Sequence, residues 1–275
     1  MLNMDTVKIG FIGYGNMSGA TAAGLIRSGA VCAEQIYACA KNYEKLCERA
    51  EKEGIHPYET AVETVLTCDV IFVGVKPYMV EEVMKPLQEE LNSKIVISLA
   101  AGLYHDDLSG FMPSAHTVAT APNTPVSVCE GIFICEEENS LSFEEKAFVE
   151  VLLENLGLVL WMDRPHMATA GTIIGCAPAF AAMFMEALGD AACKHGLTRQ
   201  TAYPLIAQML GGTGKMALES GSHPGQLKDA VCSPAGLTIE GVAALEKNGF
   251  RHAVIDAIDQ IQNKAKSGNQ SNRKK

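Results

Sequence analysis

The segment from Ser233 to Thr238 combines backbone and side-chain groups that bind small anions. It reads SPAGLT and lies between two helix-like stretches inside His223–Glu246. The N-terminus of a helix offers unpaired N–H groups and the positive end of the helix dipole, so carboxylates bind there readily. Ser233 and Thr238 add hydroxyl groups to these donors. The pattern therefore predicts a loop that binds a small anion such as a carboxylate, and we call it the carboxylate-binding loop.

Thr238 also has a purely structural interpretation. Threonine is a favoured N-cap residue, and its hydroxyl then accepts a hydrogen bond from a backbone N–H of the first helical turn. In the other interpretation, the hydroxyl contacts the substrate directly. The two roles are compatible, because a capped helix also orients its remaining free donors. Both interpretations stay open from the sequence.

A glycine loop near the N-terminus predicts a second kind of chemistry, the binding of a dinucleotide. Gly13–Ser18 reads GYGNMS, follows the apolar run Val7–Ile12, and opens a helix-compatible stretch from Asn16 to Ser28 that Gly29 ends. The first glycine permits a tight turn, and the second lets a pyrophosphate approach the backbone. The alternative is a glycine turn without a ligand. The cofactor-binding residues predicted here are Gly13, Tyr14, Gly15, Asn16 and Met17.

The end of the second predicted strand, Gln35–Ala40, indicates the form of the cofactor. An NAD-selective site places Asp or Glu there to accept a hydrogen bond from the ribose 2′-hydroxyl. This chain instead has Lys41 and Asn42, one cation and no acid. A cation favours a 2′-phosphate, so NADPH is the predicted cofactor, and Lys41 and Asn42 are predicted to bind it. NADH stays possible, because Lys41 also suits a solvated surface.

Three more short segments end apolar strands, where the ligands of parallel sheets bind. Two of them follow the predicted strands Val70–Val75 and Lys94–Leu99, and the small residues after the second strand leave room for a flat ring. Asn123 lies between two prolines that would hold it rigidly, with its amide available to cofactor or substrate. Each segment is also an ordinary strand-ending turn. We predict substrate contact at Asn123 and cofactor contacts at Val75, Lys76, Pro77, Ala100 and Ala101.

Composition argues against several other classes of function. The formal net charge of −10 disfavours a nucleic acid or an anionic membrane as partner. The nine cysteines form no CxxC pair and the seven histidines no metal-binding or hydrolase pattern, so no metal is predicted. An odd number of cysteines without a secretion signal indicates reduced thiols in the cytoplasm. Met167–Met185 is long enough to span a membrane, but its small residues and Pro178 favour a helix buried at a subunit interface.

Two different kinds of domain must position these residues. Over residues 1–163, apolar strands alternate with helices, which predicts an α/β Rossmann domain with a doubly wound, mostly parallel sheet. Over residues 164–266, helical periodicity predicts an all-helical domain for substrate binding and dimerisation. Residues 267–275 are polar and predict a disordered tail.

Within the first domain, Ser142 and Glu145 predict a capping box, and Glu48 and Lys52 predict an ion pair along a helix.

Six motifs occur in order along the chain: the glycine loop, VKP at 75–77, AAG at 100–102, PNTP at 122–125, APAF at 177–180 and the segment 224–246. Together they resemble the pyrroline-5-carboxylate reductase family over nearly the whole chain. The resemblance implies a Rossmann domain and a helical domain that interlocks in a dimer, and such dimers often assemble into rings. It also implies hydride transfer from NAD(P)H to C5 of the imine of 1-pyrroline-5-carboxylate, which gives L-proline. A protonated imine is already electrophilic, so this chemistry needs positioning more than a catalytic base.

The resemblance implies roles within the carboxylate-binding loop. N–H groups of the loop would bind the substrate carboxylate, and the hydroxyl of Thr238, the implied catalytic residue, would lie near the ring nitrogen or the carboxylate. The implied substrate-binding residues are Ser233, Ala235, Gly236, Leu237, Thr238 and Asn123. The chain departs from the family pattern where it has Ala61 for a common asparagine, Ala119 for an arginine, Ala168 for an aspartate and Leu237 for a threonine.

Two other functions stay open. A β-hydroxy-acid dehydrogenase shares the plan of a Rossmann domain followed by helices, but its chemistry needs an acid/base, often a lysine on the long helix. Lys194 and Lys215 are the only lysines inside the first two predicted helices of the second domain, and neither has a glycine-asparagine context. The departures from the family pattern also fit a non-catalytic nucleotide-binding paralogue that has lost turnover.

Overall fold

Eight strands form one sheet in the first part of the chain. A computed structural model describes residues 2–272, the last seven of them as helix backbone only. The strands follow the order β3-β2-β1-β4-β5-β6-β7-β8, and every neighbouring pair is parallel except β6 with β7. The predicted α/β domain with a mostly parallel sheet is thereby confirmed. The strands are β1 Ile9–Ile12, β2 Ile36–Cys39, β3 His56–Tyr58, β4 Val70–Val73, β5 Ile95–Ser98, β6 His116–Pro122, β7 Gly131–Glu136 and β8 Gly157–Met162.

Six α-helices connect these strands. The first has the predicted bounds, because Gly29 adopts a φ of 75° and ends it in the left-handed conformation. The sequence did not predict β3, β8 or the three shortest helices, since such short or half-exposed segments carry little periodic signal. The helices are α1 Asn16–Ser28, α2 Tyr43–Glu53, α3 Ala61–Thr67, α4 Val80–Met84, α5 His105–Phe111 and α6 Phe143–Glu154.

The central strands β1, β4 and β5 are buried on both faces, as their uninterrupted apolar runs predict. Phe11 of β1 and Phe72 of β4 stack on one face, with ring centroids 5.0 Å apart. Ile12 and Val73, which follow them in the same strands, belong to the core on the opposite face. Each such side chain contributes about 1.5–3 kcal/mol through burial. This packing holds the carboxyl ends of β1 and β4 in a fixed relation.

Local side-chain bonds set the ends of several helices. Ser142 forms the predicted capping box at the start of α6: its Oγ accepts from the Glu145 N–H, and its own N–H donates to Glu145 Oε2 at 2.8 Å. The predicted pair of Glu48 with Lys52 on α2 is wrong. The ion pair along that helix joins Arg49 Nε to Glu53 Oε1 at 2.6 Å, on the half-buried face of α2.

The second part of the chain is helical. α7 begins four residues before the predicted start at Ala168, because Asp163 Oδ1 accepts a hydrogen bond from the His166 N–H at 3.2 Å. Thr198 caps the next helix as predicted, by accepting from the Thr201 N–H. The helices are α7 Arg164–Lys194, α8 Arg199–Ser220, α9 Pro224–Ala230, α10 Leu237–Lys247 and α11 Phe250–Asn272.

The chain divides into two compact units, Met1–Gly175 and Cys176–Lys275. The first turns of α7 belong to the first unit, since Met167 is 4% exposed and packs in the core on one face of the sheet. The predicted boundary between 163 and 164, at the start of α7, stays a prediction. The predicted tail 267–275 overlaps the end of α11 at 267–272, and its last three residues lie outside the described residues.

Candidate functional site

The glycine loop joins β1 to α1 in the first unit. Gly13 has a φ of 86°, and a Cβ there would lie 2.6 Å from Val75 Cγ1, so this turn needs glycine. Ser18, at the third position of the motif, donates from Oγ to the Gly13 carbonyl at 2.6 Å. A Cβ on Gly74 would lie 1.9 Å from the same Oγ, so Ser18 also requires glycine at the end of β4. The loop is therefore tied to both neighbouring strand ends.

The N-terminus of α1 has donors available for an anion. Its N-cap is Gly15, so no side chain accepts a hydrogen bond from the first N–H groups of the helix. The first turn also contains no acidic residue. A Cβ on Gly15 would meet nothing within 4 Å, so the space beside the loop is open. The first N–H groups of a helix without such a cap can bind a phosphate. The loop thus fits the pyrophosphate of a dinucleotide.

A cleft of about 690 Å³ lies at the carboxyl ends of β1, β2, β4 and β5. Its volume is within the range of about 300–1,000 Å³ usual for small-molecule sites. It lies where the strand order reverses between β1 and β4, which is the usual ligand position in such sheets. Eleven of the residues predicted to bind cofactor line it: Gly13, Tyr14, Gly15, Asn16, Met17, Lys41, Val75, Lys76, Pro77, Ala100 and Ala101.

The cleft also includes five residues outside the predicted set. They are neighbours of the predicted residues at the same strand ends, so extending each motif by one or two positions finds most of them. They are Ala40, Gly74, Met79, Leu99 and Thr124. The cleft is therefore formed mainly by the residues that follow several neighbouring strands at one edge of the sheet.

Asn42 and Asn123, two predicted ligand contacts, have structural partners instead. Asn42 caps α2, and its Oδ1 accepts from the Lys45 N–H at 2.9 Å. Asn123 is 7% exposed, and its Oδ1 accepts from the Ile132 N–H at 2.9 Å, which ties the end of β6 to β7. Neither residue is part of the lining of the cleft. The Asn123 amide oxygen is therefore already bonded, and the substrate contact expected at Asn123 stays a prediction.

The carboxylate-binding loop lies in the second unit, between α9 and α10. The Gly236 N–H donates to the Ser233 carbonyl at 3.0 Å, with Pro234 second and Ala235 third in the turn. Ala235 has a φ of 57°. Proline in the second position and a positive φ in the third define a type II turn, in which the third residue is usually glycine. The turn is therefore followed directly by the first residue of α10, Leu237.

Thr238 is not the helix cap. The N-cap of α10 is Gly236, which makes no side-chain capping bond, and Thr238 is the second residue of the helix. Within the described residues, the Thr238 hydroxyl makes no hydrogen bond, and the residue is exposed. Leu237, beside it, is 93% exposed. The first turn of α10 thus has free N–H groups and a free hydroxyl next to one another.

The departures from the family pattern lie in different environments. Ala119 is fully buried in β6, where it pairs with Ser98 of β5. Ala61 is the first residue of α3 and is half-buried. Ala168 is exposed on the first turns of α7. None of these three residues lines the cleft.

The fold and the cleft define a dinucleotide-dependent oxidoreductase, since the glycine loop stands at the switch point of a doubly wound sheet. Residues 8–102 match the family model described as NADP oxidoreductase, coenzyme F420-dependent. Residues 165–268 match the model described as pyrroline-5-carboxylate reductase dimerisation. The prediction of an NADP-dependent enzyme with a dimerisation domain is confirmed.

Full-length relatives identify the family. The chain is 43% identical to the pyrroline-5-carboxylate reductase of Treponema pallidum (strain Nichols) over 92% of its length and 97% of the relative's. It is 38% identical to that of Escherichia coli (strain K12), over 94% and 97%. The crystal structure of the Plasmodium falciparum enzyme with NADP bound is 30% identical, with a TM-score of 0.84 and coverage of 96% and 99%. The chain belongs to the pyrroline-5-carboxylate reductase family.

Proposed function

We propose that the protein reduces the imine of 1-pyrroline-5-carboxylate to L-proline with NADPH, the last step of proline biosynthesis. The observation that carries this proposal is the full-length similarity to reductases of this substrate, 43% identity over 92% of the chain. The cleft at the switch point supports it independently, because its lining and its open helix N-terminus suit a dinucleotide.

Residues of the first unit bind and orient the cofactor. Gly13–Met17 hold the pyrophosphate, with the N–H groups of Tyr14–Met17 as donors, because the Gly13 N–H already donates to the Cys39 carbonyl. The exposed Lys41, at the end of β2, binds the 2′-phosphate, so NADPH is preferred and NADH is accepted less well. Ala100 and Ala101 leave space for the nicotinamide ring. Asn42 adds to the cofactor site by capping α2 next to Lys41.

Residues of the second unit bind the substrate. N–H groups of Ala235, Leu237 and Thr238 bind its carboxylate, because the N-terminus of α10 has no side-chain cap, while Gly236 shapes the turn through the bond from its N–H to the Ser233 carbonyl. Ser233 and Thr238 supply hydroxyl groups, of which Thr238 is the catalytic one.

The chemistry balances without a side-chain base. Bound NADPH supplies a hydride to C5 of the protonated imine, whose nitrogen already has the proton that the product amine keeps. Thr238 orients that nitrogen or the carboxylate by its hydroxyl, and the chain's main contribution is to hold the substrate in a reactive position. The absence of a required acid/base separates this reaction from the oxidation of a β-hydroxy acid.

A direct assay tests the proposal and separates it from its alternatives. Purified protein is given NADPH and 1-pyrroline-5-carboxylate, and NADPH consumption and proline formation are measured in parallel. We expect equal amounts of NADPH oxidised and proline formed. Turnover of β-hydroxy acids with NADP would favour the dehydrogenase instead, and NADPH binding without turnover of either substrate would identify a non-catalytic paralogue.

We further infer the setting in which the enzyme acts. Its dimerisation domain forms at least a homodimer, and dimers assemble into a ring. All nine cysteines are free, which suits the reducing cytoplasm. One described helix, Arg164–Lys194, is long and apolar enough to cross a bilayer. A subunit interface accounts for its apolar surface as well, since that helix begins the dimerisation domain.

A further inference from the structure

Three side chains form a bonded cluster beside the glycine loop. The Tyr14 hydroxyl donates to Glu53 Oε2 at 2.6 Å, and Arg49 Nε donates to Glu53 Oε1 at 2.6 Å. The Arg49 guanidinium carbon lies 4.6 Å from the centroid of the Tyr14 ring. Tyr14 is 8% exposed, although it stands between the two glycines of the loop. We call these three residues the Tyr14 cluster.

Arg49 extends from this cluster to the first turn of α1. Its Nη1 donates to the Gly15 carbonyl at 3.4 Å. A Cβ on Gly19 would lie 1.7 Å from its Nη2, so the guanidinium lies directly on the helix at that position. The planar guanidinium thus contacts Glu53, the Tyr14 ring and the Gly15 carbonyl at the same time. A lysine ammonium could not make all three contacts, because it is a compact charge without a planar set of donors.

The bond to Gly15 has a consequence for the cofactor site. The carbonyl and the following N–H of a trans peptide point in opposite directions. The Gly15 carbonyl accepts from Arg49 and from the Gly19 N–H at 3.0 Å. These two bonds therefore orient the Asn16 N–H away from the body of α1 and toward the cleft that Gly15 and Asn16 line.

The Tyr14 side chain is also fixed in position by its contacts. Burial and the hydrogen bond to Glu53 raise the pKa of Tyr14, so its hydroxyl remains a donor at every physiological pH. The ring also packs edge-on against Phe11 of β1, with centroids 5.7 Å apart. The backbone between Gly13 and Gly15 is consequently anchored by a side chain at a point where two glycines alone would leave it free.

We propose that Arg49, together with Glu53 and Tyr14, is a positioning residue that preorders the glycine loop for the cofactor pyrophosphate. The inference rests on the proposed use of NADPH. An isolated ion pair at a surface contributes little even to stability. The Tyr14 cluster differs from such a pair because it bonds to the loop backbone itself.

The test compares three variants whose changes in charge differ. Arg49→Met removes a positive charge, Glu53→Gln removes a negative charge, and Tyr14→Phe changes none. If the cluster positions the loop, all three weaken NADPH binding by about 3- to 10-fold, the loss expected for one hydrogen bond. If only charge matters, Glu53→Gln tightens the binding of this anionic cofactor. The dissociation constant is measured by calorimetry on folded protein without substrate.

The exposed pair of Glu81 with Lys85, 3.1 Å apart on the same unit, supplies the matched control. Glu81→Gln changes the net charge as Glu53→Gln does, and we expect its dissociation constant for NADPH to stay within about twofold of wild type.

In the reductase assay, the three cluster variants should raise KM for NADPH, with less than about a twofold change in kcat once NADPH saturates.

Each outcome decides between the two proposals. Unchanged NADPH binding in all three variants overturns the positioning role and leaves the proposed function intact. Tighter binding by Glu53→Gln also overturns it, in favour of simple electrostatics. Wild-type protein that binds no NADPH overturns the proposed function and this inference together. Thermal unfolding of each variant without cofactor shows whether a change in binding reflects lost structure.

Discussion

Ala235 holds a conformation that is costly for any residue with a Cβ. Its φ of 57° is required by the type II turn that leads into α10. Left-handed backbone costs an L-residue about 1–2 kcal/mol, and glycine avoids most of this cost. The loop that we propose as the substrate site therefore contains local strain, which the surrounding turn maintains.

Ala235→Gly should relieve that strain. We expect the free energy of unfolding to rise by about 0.5–1 kcal/mol, because the strain removed exceeds the extra entropy of glycine in the unfolded chain. Urea unfolding measures the change. Ala243→Gly, in the middle of α10, is the matched control and should lower stability by about 0.5–1 kcal/mol. Equal losses in the two variants would show that Ala235 is unstrained.

Thr238→Val tests the proposed role of the free hydroxyl. Since that hydroxyl makes no capping bond, we expect unchanged stability and NADPH affinity, with kcat/KM for the imine lower by about 10-fold or more. Thr198→Val is the control at another helix start. Its hydroxyl does cap α8, so that variant should lose about 1 kcal/mol of stability and keep its kcat/KM. An active Thr238→Val variant would remove Thr238 from the proposed mechanism.

At the scale of elements, α6 depends on one carboxylate with several partners. Glu145 caps the helix through the Ser142 N–H and lies 2.7 Å from His116 Nδ1 of β6. Burial alone would raise its pKa. The hydrogen bonds from Ser142 and His116, together with the charge of His116, outweigh burial and hold the pKa of Glu145 below its ordinary 4.5. The pair links α6 to the sheet.

The lowered pKa of Glu145 predicts a specific acid dependence of stability. A carboxylate with a depressed pKa stabilises the fold above its unfolded value, and this contribution is lost as pH falls through the folded pKa. Glu145→Gln should therefore lower the free energy of unfolding at pH 6–7. The difference from wild type should shrink as pH falls below about 4.5. Urea unfolding at several pH values measures it, and a difference that is constant with pH would contradict the assignment.

At the scale of the whole molecule, the second unit leaves apolar side chains uncovered. On α8, Leu205 is 60% exposed and Met209 46% exposed. Both line an apolar groove with Leu188 and Leu197. Exposed apolar patches of this kind mark interaction surfaces. Because this region matches a dimerisation domain, we predict that a second copy of the chain covers this groove.

Leu205→Glu should disrupt that association. A charge buried at a subunit interface without a partner is strongly unfavourable, so we expect light scattering to show a smaller assembly at micromolar protein. Leu66, which is 64% exposed on α3 of the first unit, provides the control. Leu66→Glu should keep the wild-type mass. If the mass of Leu205→Glu is also that of wild type, α8 does not form the interface.

Much of the fold and of the cofactor site was predictable because it depends on local sequence. Asn16–Ser28 is a helix that ends at Gly29, and Ser142 opens α6, since caps and breakers act within a few residues. The strands that line the cleft are apolar runs, and the motifs that follow them necessarily meet at one sheet edge. Local pattern therefore determined the class of domain, the glycine loop and eleven of the sixteen residues that line the cleft.

Only the tertiary structure decided which polar groups remain free for chemistry. Arg49 rather than Lys52 forms the ion pair on α2, because Arg49 faces Tyr14 and the first turn of α1. The Asn123 oxygen is bonded to β7, whereas the Thr238 hydroxyl is free because Gly236 holds the cap position. Which polar groups are bonded depends on residues that are far apart in the sequence and close in the fold. A local sequence pattern contains no information about such contacts.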